Sequence, residues 1–104
     1  MSESLSVHQN EGAMRFEVVL GGETAYAEYR LRDDVVILPH TVVPEAFEGR
    51  GVGSKLARAA LDWAREQGLK VIPSCPFISA YVAKHPEYHD LVDDSYREQL
   101  GLER

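Results

Sequence analysis

The chain has 104 residues, a formal net charge of −6, 44% hydrophobic residues and one cysteine. This length favours a single domain that can bury a hydrophobic core, and one cysteine excludes an internal disulfide bond and a four-cysteine zinc site. The acidic excess disfavours a nucleic-acid partner, since phosphates are bound by clustered lysine and arginine, and no charge-free stretch reaches the roughly 18 apolar residues of a membrane span. We therefore expect a cytoplasmic protein, a monomer or weak dimer, that binds neither nucleic acid nor membrane.

The N-terminal third predicts a leader followed by a hairpin. Residues 1–12 are polar and lack periodicity, so we expect a flexible N-terminal leader before a single domain over residues 13–104. Apolar residues alternate over residues 14–20 and again over residues 24–31, as in strands with one buried face. The Gly21-Gly22 pair between them supplies the positive φ that a tight hairpin turn requires.

A third strand is predicted over residues 35–43, which are mostly β-branched or apolar. Pro39 lies inside this segment and has no backbone N–H, so it marks a bulge or an edge. It stands directly before His40. The distortion at the proline therefore re-aims the imidazole.

The next segment predicts a helix and a strand that returns to the sheet. Val52, Leu56 and Ala60 recur at helical spacing, and Gly68 stands where a C-terminal cap belongs. Residues 69–72 form a short apolar strand. Because it follows a helix, we expect it to pair in parallel with the strand before that helix, through a right-handed crossover.

The C-terminal part predicts two further helices. Pro76 suits the first turn of a helix that ends near His85, because Pro86 disfavours helical conformation in the residue before it. Residues 90–100 form an acidic terminal helix. The apolar residues of the helix that starts at Pro76 are Phe77, Ile78, Tyr81 and Val82. The element order predicts an α/β (α+β) domain with a mixed, mostly antiparallel sheet of about five strands, a central helix after a glycine-rich loop, and a second C-terminal helix.

The glycine-rich loop covers residues 47–54 and has glycine at three alternating positions. Backbone N–H groups and the positive end of the following helix can hold an anion there, and glycine lets phosphate oxygens approach the amides. A Walker loop is excluded, since the Gly-Lys-Ser/Thr ending is missing, and the dinucleotide pattern fails at Ser54, where it requires glycine. The loop therefore fits a pyrophosphate, and the alternative is a helix cap whose glycines serve packing.

The Gly51-Val52-Gly53 segment resembles the acetyl-CoA signature of the GNAT N-acetyltransferase superfamily, Gln/Arg-x-x-Gly-x-Gly/Ala. Glu48 departs from this signature, because Gln or Arg is usual at its position. Four segments in order resemble the small single-domain GNAT-like proteins: Pro39-His40-Thr41-Val42-Val43-Pro44, Gly49-Arg50-Gly51-Val52-Gly53-Ser54-Lys55-Leu56, Ile72-Pro73-Ser74-Cys75-Pro76 and Lys84-His85-Pro86-Glu87-Tyr88. The resemblance implies a minimal GNAT fold.

The resemblance also implies an acyltransferase that moves an acetyl group from acetyl-CoA to an amine, either a protein lysine, an N-terminus or a small molecule. No metal is implied. In the family the third strand pairs with the pantetheine arm, and the glycine loop holds the pyrophosphate. Carried over to this chain, the acetyl-CoA-binding residues are Thr41, Val42, Val43, Glu48, Gly49, Arg50, Gly51, Val52, Gly53, Ser54 and Lys84.

Three side chains are candidates for catalysis, each with a structural alternative. Cys75 precedes Pro76 at a helix start, where a thiolate is stabilised and can accept the acetyl group; alternatively it packs as a small apolar residue. His40 can act as general base, since imidazole exchanges a proton near neutral pH, or be a half-buried strand histidine. Tyr81 matches the tyrosine that protonates the departing thiolate in many GNAT enzymes, or belongs to the core.

Two other functions remain open. A non-catalytic regulatory module would bind CoA or acyl-CoA without turnover, and a purely structural glycine loop would bind neither. Larger superfamily members insert helices between the first two strands, and those helices build much of the acceptor pocket. Because Gly21-Gly22 turns the chain straight back, the resemblance implies an acetyl-CoA site that is more complete than its acceptor site.

Overall fold

The computed structural model describes residues 6–47 and 49–100. These residues form two sheets and three α-helices, with six strands before the first helix and one strand between the first and second helices. Two 3₁₀ turns cover Glu45–Phe47 and Pro86–Leu91. The strands and helices are β1 (His8–Asn10), β2 (Arg15–Leu20), β3 (Glu23–Glu28), β4 (Arg30–Arg32), β5 (Val35–Ile37), β6 (Thr41–Val42), α1 (Val52–Gln67), β7 (Lys70–Ile72), α2 (Pro76–Lys84) and α3 (Asp94–Leu100).

The first sheet has the strand order β1-β2-β3-β6 and is antiparallel throughout. Its central hairpin turns at Gly21 and Gly22, whose φ angles of 58° and 83° are those of a two-residue hairpin turn, as predicted. The expected flexible leader is wrong for part of its length, because His8–Asn10 pairs with β2 as an edge strand. Backbone hydrogen bonds to β2 hold this polar segment in place, although its sequence has no periodicity.

The second sheet has the order β4-β5-β7. Strand β7 pairs in parallel with β5, which confirms the predicted crossover through α1. Helix α1 ends at Gly68, a left-handed cap with φ 70°, also as predicted.

The chain passes from one sheet to the other at a bulge. Two predicted strands, residues 24–31 and 35–43, are each divided into a part in either sheet, so in the described part of the chain the predicted mixed β-structure is present as one four-stranded and one three-stranded sheet. Residues 28 and 29 lie opposite residues 38–40, since Ala27 pairs with Thr41 and Arg30 with Ile37. The extra residue is on the strand that contains Pro39, which confirms the predicted bulge.

The core lies between the four-stranded sheet and α1. Phe16 and Val18 of β2 and Ala25 and Ala27 of β3 are buried on the side facing the helix. On α1 the buried residues are Val52, Leu56, Ala57, Ala60, Leu61 and Ala64. The small alanine side chains on both surfaces let the helix lie close to the sheet.

The terminal region differs from its prediction. Helix α2 starts at Pro76 and ends at Lys84, as expected, but the acidic helix begins at Asp94 rather than at residue 90. Before it, a 3₁₀ turn leads the chain back to the sheet, where Asp93 N–H donates to Val71 C=O at 2.9 Å. Among the residues described, no helix is long and apolar enough to cross a membrane.

Glu17 is a buried carboxylate on the sheet face away from α1, with 6% of the residue exposed. Arg15 donates to its Oε2 at 2.6 and 2.9 Å, Asn10 donates to the same oxygen at 3.2 Å, and His8 Nε2 lies 3.1 Å from Oε1. Burial by itself raises the pKa of Glu17, but these hydrogen bonds and the charge of Arg15 outweigh it and hold the pKa below its ordinary value of 4.5.

The Glu17→Gln variant is expected to be less stable at neutral pH, by about 1–3 kcal/mol, because charge-assisted hydrogen bonds are lost. A lowered native pKa stabilises the fold above the unfolded pKa, and this contribution disappears as pH falls through the native value. The difference between wild type and variant should therefore shrink between about pH 5 and about pH 3 in urea unfolding. A difference that stays constant over this range would contradict the assignment.

Candidate acetyl-CoA site

The candidate site begins where the strand that contains the bulge changes its hydrogen-bond partner. Leu38 N–H donates to Ile72 C=O at 3.0 Å, and Cys75 N–H donates to Leu38 C=O at 2.9 Å. Two residues later the partner is β3, since Glu28 N–H donates to His40 C=O at 3.1 Å. Strand β6 is thus an edge strand of the first sheet, and a gap opens between it and the start of α2.

A groove of about 390 Å³ starts at this gap and runs along the N-terminus of α1. Val43, Phe47 and Phe77 form its apolar wall. A second groove of about 290 Å³ shares Ser54 and Phe77 with the first and continues towards the end of α2. The first groove is lined by Thr41, Val43, Phe47, Gly49, Gly51, Val52, Gly53, Ser54 and Phe77, and the second by Ser54, Phe77, Ala80, Tyr81, Lys84 and His85.

The glycine loop bends through two left-handed residues. Gly49 has a φ of 79°, and Gly51, the N-cap of α1, has a φ of 69°. The first backbone bond of the helix runs from Lys55 N–H to Gly51 C=O at 3.1 Å. The N–H groups of residues 52–54 therefore have no intrahelical acceptor, and they lie along the groove at the positive end of the helix dipole.

Gly53 is required by close contact rather than by its backbone angle. A β-carbon at this position would lie 2.7 Å from Cζ of the Phe77 ring. The sequence predicted Phe77 as an apolar residue of α2 alongside buried neighbours, but 45% of it is exposed, and it forms the wall shared by both grooves. Sequence reasoning missed this role, because an apolar residue at helical spacing looks the same whether it packs inward or lines a groove. It also missed Phe47, which ends a 3₁₀ turn and belongs to no periodic pattern.

Cys75 lies behind the groove wall. It is 4% exposed and is the N-cap of α2, and its Sγ lies 3.6 Å from Thr41 Oγ1 as a hydrogen-bond donor. Thr41 lines the groove directly. The Cys75 sulfur therefore contacts a residue that lines the groove but does not line the groove itself.

Tyr81 is 7% exposed and lines the second groove. Its ring stacks on His85 with centroids 3.9 Å apart, and His85 Nδ1 lies 2.7 Å from Tyr81 C=O. The hydrogen bond to Tyr81 raises the pKa of the Arg58 guanidinium above its ordinary value. The phenol thus has a permanent positive charge beside it.

His40 is on the opposite face of the sheet from Cys75. Its Nε2 lies 2.7 Å from Glu28 Oε1, and its ring lies edge-on to Tyr26 at 6.5 Å. Thr41, the next residue, faces the groove. The structure therefore brings Cys75 and Tyr81 to the groove side, whereas His40 lies on the other face, next in sequence to the groove-lining Thr41.

The acetyl-CoA-binding residues predicted from the sequence largely converge on the two grooves. Lys84 lines the second groove, Val42 and Arg50 are not among the lining residues, and Glu48 lies outside the residues that the structure describes. Within residues 6–47 and 49–100, no three His, Cys, Asp or Glu side chains are grouped as a metal site would require. Of the residues predicted to bind acetyl-CoA, those that line the first groove are Thr41, Val43, Gly49, Gly51, Val52, Gly53 and Ser54.

Comparison with known proteins gives one family. The family model described as GCN5-related N-acetyl-transferase matches residues 15–91. Protein NATD1 of Xenopus tropicalis is 38% identical over 88 residues, which cover 82% of this chain and 81% of that protein. Protein NATD1 of Homo sapiens is 46% identical over 52 residues, 50% of this chain and 46% of the human protein, so this match spans less than half of the human relative.

A solved structure has the same architecture. It is the solution NMR structure of a Staphylococcus aureus protein described as a proposed GCN5-like N-acetyltransferase. The superposition has a TM-score of 0.67 at 33% sequence identity and covers 86% of this chain and 88% of the other.

Proposed function

The chain belongs to the GCN5-related N-acetyltransferase family and has its fold, and we propose that it transfers the acetyl group of acetyl-CoA to an amine. The acceptor is a protein lysine, an N-terminus or a small amine. The observation that carries this proposal is the groove itself, which joins the edge strand β6 to the glycine loop without interruption.

The groove suits the parts of acetyl-CoA in order. The N–H groups of residues 52–54 and the positive end of α1 would hold the pyrophosphate, with Lys84 farther along the second groove as an additional cation. The apolar wall of Val43, Phe47 and Phe77 would cover the pantetheine arm. The outer edge of β6 offers backbone groups to its amides, in the manner of strand addition.

The acetyl end of the substrate would then lie at the gap beside Thr41 and Cys75. Acetyl-CoA supplies a thioester there, which is activated for attack by an amine or a thiolate. The Cys75 sulfur is close enough to the groove to accept the acetyl group before the amine takes it. The alternative route is direct attack by the amine, in which Cys75 only packs against Thr41.

Two further side chains have roles in this scheme. His40 would accept the proton that the amine nitrogen loses, and Tyr81 would protonate the thiolate that leaves. Arg58 beside Tyr81 stabilises the phenolate form that remains after that transfer. The grooves would hold the reacting groups in place and so lower the entropic part of the barrier.

A second function is favoured by one specific feature. Cys75 is 4% exposed and does not itself line the groove, which is compatible with a module that binds CoA or acyl-CoA without turnover. Such a module would use the same groove and the same glycine loop. The two functions therefore differ in product formation and not in binding.

The test is to incubate the chain with acetyl-CoA and a panel of amines that contains lysine peptides, N-terminal peptides and a polyamine. The proposed function predicts a raised melting temperature with acetyl-CoA, release of free CoA thiol, and a mass increase of one acetyl group on an acceptor. Stabilisation by CoA with no acetylated amine would favour the binding module. No thermal shift with either ligand would mean that the glycine loop is structural.

A further inference from the structure

The sheet face opposite α1 carries a second carboxylate that is bound to a histidine. On β3, Ala25 and Ala27 are buried beneath α1, so Tyr26 and Glu28 lie on the other face. Glu28 accepts a hydrogen bond from Arg30 Nη2 at 2.8 Å and from Arg30 Nε at 3.2 Å, both at Oε2. Its other oxygen, Oε1, lies 2.7 Å from Nε2 of His40.

This arrangement is held by backbone and side chains together. Glu28 N–H donates to His40 C=O at 3.1 Å, so the bulge fixes the two residues beside each other. Arg30 holds the carboxylate at its second oxygen, Oε2. The Tyr26 and His40 rings are inclined by 70°, with centroids 6.5 Å apart. The Glu28 side chain is 19% exposed and that of His40 is 52% exposed, so the carboxylate is shielded while the imidazole can be reached from solvent.

We propose that Glu28 is a positioning residue for His40, fixing its tautomer so that Nδ1 takes the proton of the acceptor amine. An ionised carboxylate only accepts hydrogen bonds, so a neutral imidazole bound through Nε2 must carry its proton there. The lone pair is then on Nδ1. This inference rests on the proposed function, because it assigns a residue to the acetyl-transfer step.

In this step an amine and acetyl-CoA become an amide and the free CoA thiol. The nitrogen lone pair of the amine forms a bond to the acetyl carbon, and the bond from that carbon to sulfur breaks with its electron pair going to sulfur. The nitrogen gives its proton to His40 Nδ1, and the thiolate takes up a proton. Because His40 and Thr41 face opposite sides of the strand, the acceptor approaches the gap from the sheet face opposite the acetyl-CoA groove.

The same sheet face provides a matched control. His8 Nε2 lies 3.1 Å from Glu17 Oε1, which is the same kind of pair, but β1 and β2 are separated from the gap by β3 and β6. Replacing Glu17 by glutamine changes the surroundings of a histidine without removing a hydrogen bond to Glu28 or His40. A loss of rate that is specific to Glu28 is therefore distinguished from a general disturbance of the sheet.

The first measurement is the tautomer of each histidine, by long-range ¹H–¹⁵N correlation of the imidazole rings in the protein without ligand at alkaline pH. The His40→Ala spectrum assigns the His40 resonances. We expect the His40 proton on Nε2 in the wild type and a mixture of tautomers in Glu28→Gln, since an amide can donate as well as accept. A proton on Nδ1 in the wild type, or no change in Glu28→Gln, overturns the proposal.

The second measurement is the rate of acetyl transfer in Glu28→Gln, His40→Ala and the double variant. We expect kcat to fall about tenfold to hundredfold in Glu28→Gln, with the KM for acetyl-CoA unchanged, and Glu28→Asp to recover part of the rate. In the His40→Ala background Glu28→Gln should have no further effect, and Glu17→Gln should keep the wild-type rate. An equal loss in both backgrounds overturns the positioning role. If the wild type transfers no acetyl group to any amine, the proposed function fails with it, and the tautomer measurement still decides whether Glu28 sets the His40 proton.

Discussion

The Gly53→Val variant is expected to bind acetyl-CoA at least about 100-fold more weakly than the wild type, a loss of about 2.7 kcal/mol. A β-carbon at position 53 lies 2.7 Å from the Phe77 ring, and the two methyl groups of valine add bulk at the place where both grooves meet. The Phe77 side chain has to move, and the space that it can move into is the groove. Isothermal titration with acetyl-CoA measures the effect.

The smaller Gly53→Ala change separates binding from folding. Position 53 is helical, and alanine favours a helix over glycine by about 1 kcal/mol, so the melting temperature should stay the same or rise. Affinity for acetyl-CoA should nevertheless fall, by about tenfold. Glu66→Ala, on the exposed surface near the end of the same helix, is the control and should bind normally. Wild-type affinity in Gly53→Val would contradict the placement of the substrate along this groove.

The Cys75→Ala variant is expected to lose the acetyl adduct on the chain. Its rate of acetyl transfer should fall at least about 100-fold. The sulfur lies 3.6 Å from a hydroxyl that lines the groove, and removing it removes the group that takes up the acetyl in the covalent route. Intact-mass spectrometry after addition of acetyl-CoA detects the adduct, and a rate assay with the amine panel measures the loss.

Cys75→Ser is the matched control for packing. It keeps a donor beside Thr41 and fills the same space, whereas alanine at this buried position leaves a small cavity. Both variants should retain acetyl-CoA affinity, since Cys75 does not line the groove. If Cys75→Ala acetylates amines at the wild-type rate, the covalent route is wrong, and direct attack by the amine replaces it without changing the proposed function.

Local sequence signals were sufficient for the parts of the fold that depend on backbone chemistry. Gly21 and Gly22 specify a two-residue hairpin, Gly68 a left-handed cap, and Pro39 a bulge, because glycine permits positive φ and proline lacks a backbone N–H, whatever surrounds them. The glycines of the loop are of the same kind. This is why the glycine-rich loop around position 51 could be predicted, and its residues lie together along the groove.

The remaining features depend on contacts between distant segments. Strand β1 is held by backbone bonds to β2 that no side-chain pattern announces, and the division into two sheets follows from a register shift of one residue. The pairing of Glu28 with His40 requires that same register, so neither residue indicates it alone. Phe77 lines a groove only because Gly53 of another helix leaves room for its ring.

The proposed function places acetyl-CoA between β6 and the glycine loop. A titration of ¹⁵N-labelled protein with acetyl-CoA, followed by amide chemical shifts, tests this placement without knowledge of the acceptor. We expect the largest changes at residues 41–43 and 49–54, with smaller ones around Lys84 and little change on β1. Changes centred elsewhere, or none at saturating acetyl-CoA, would contradict it.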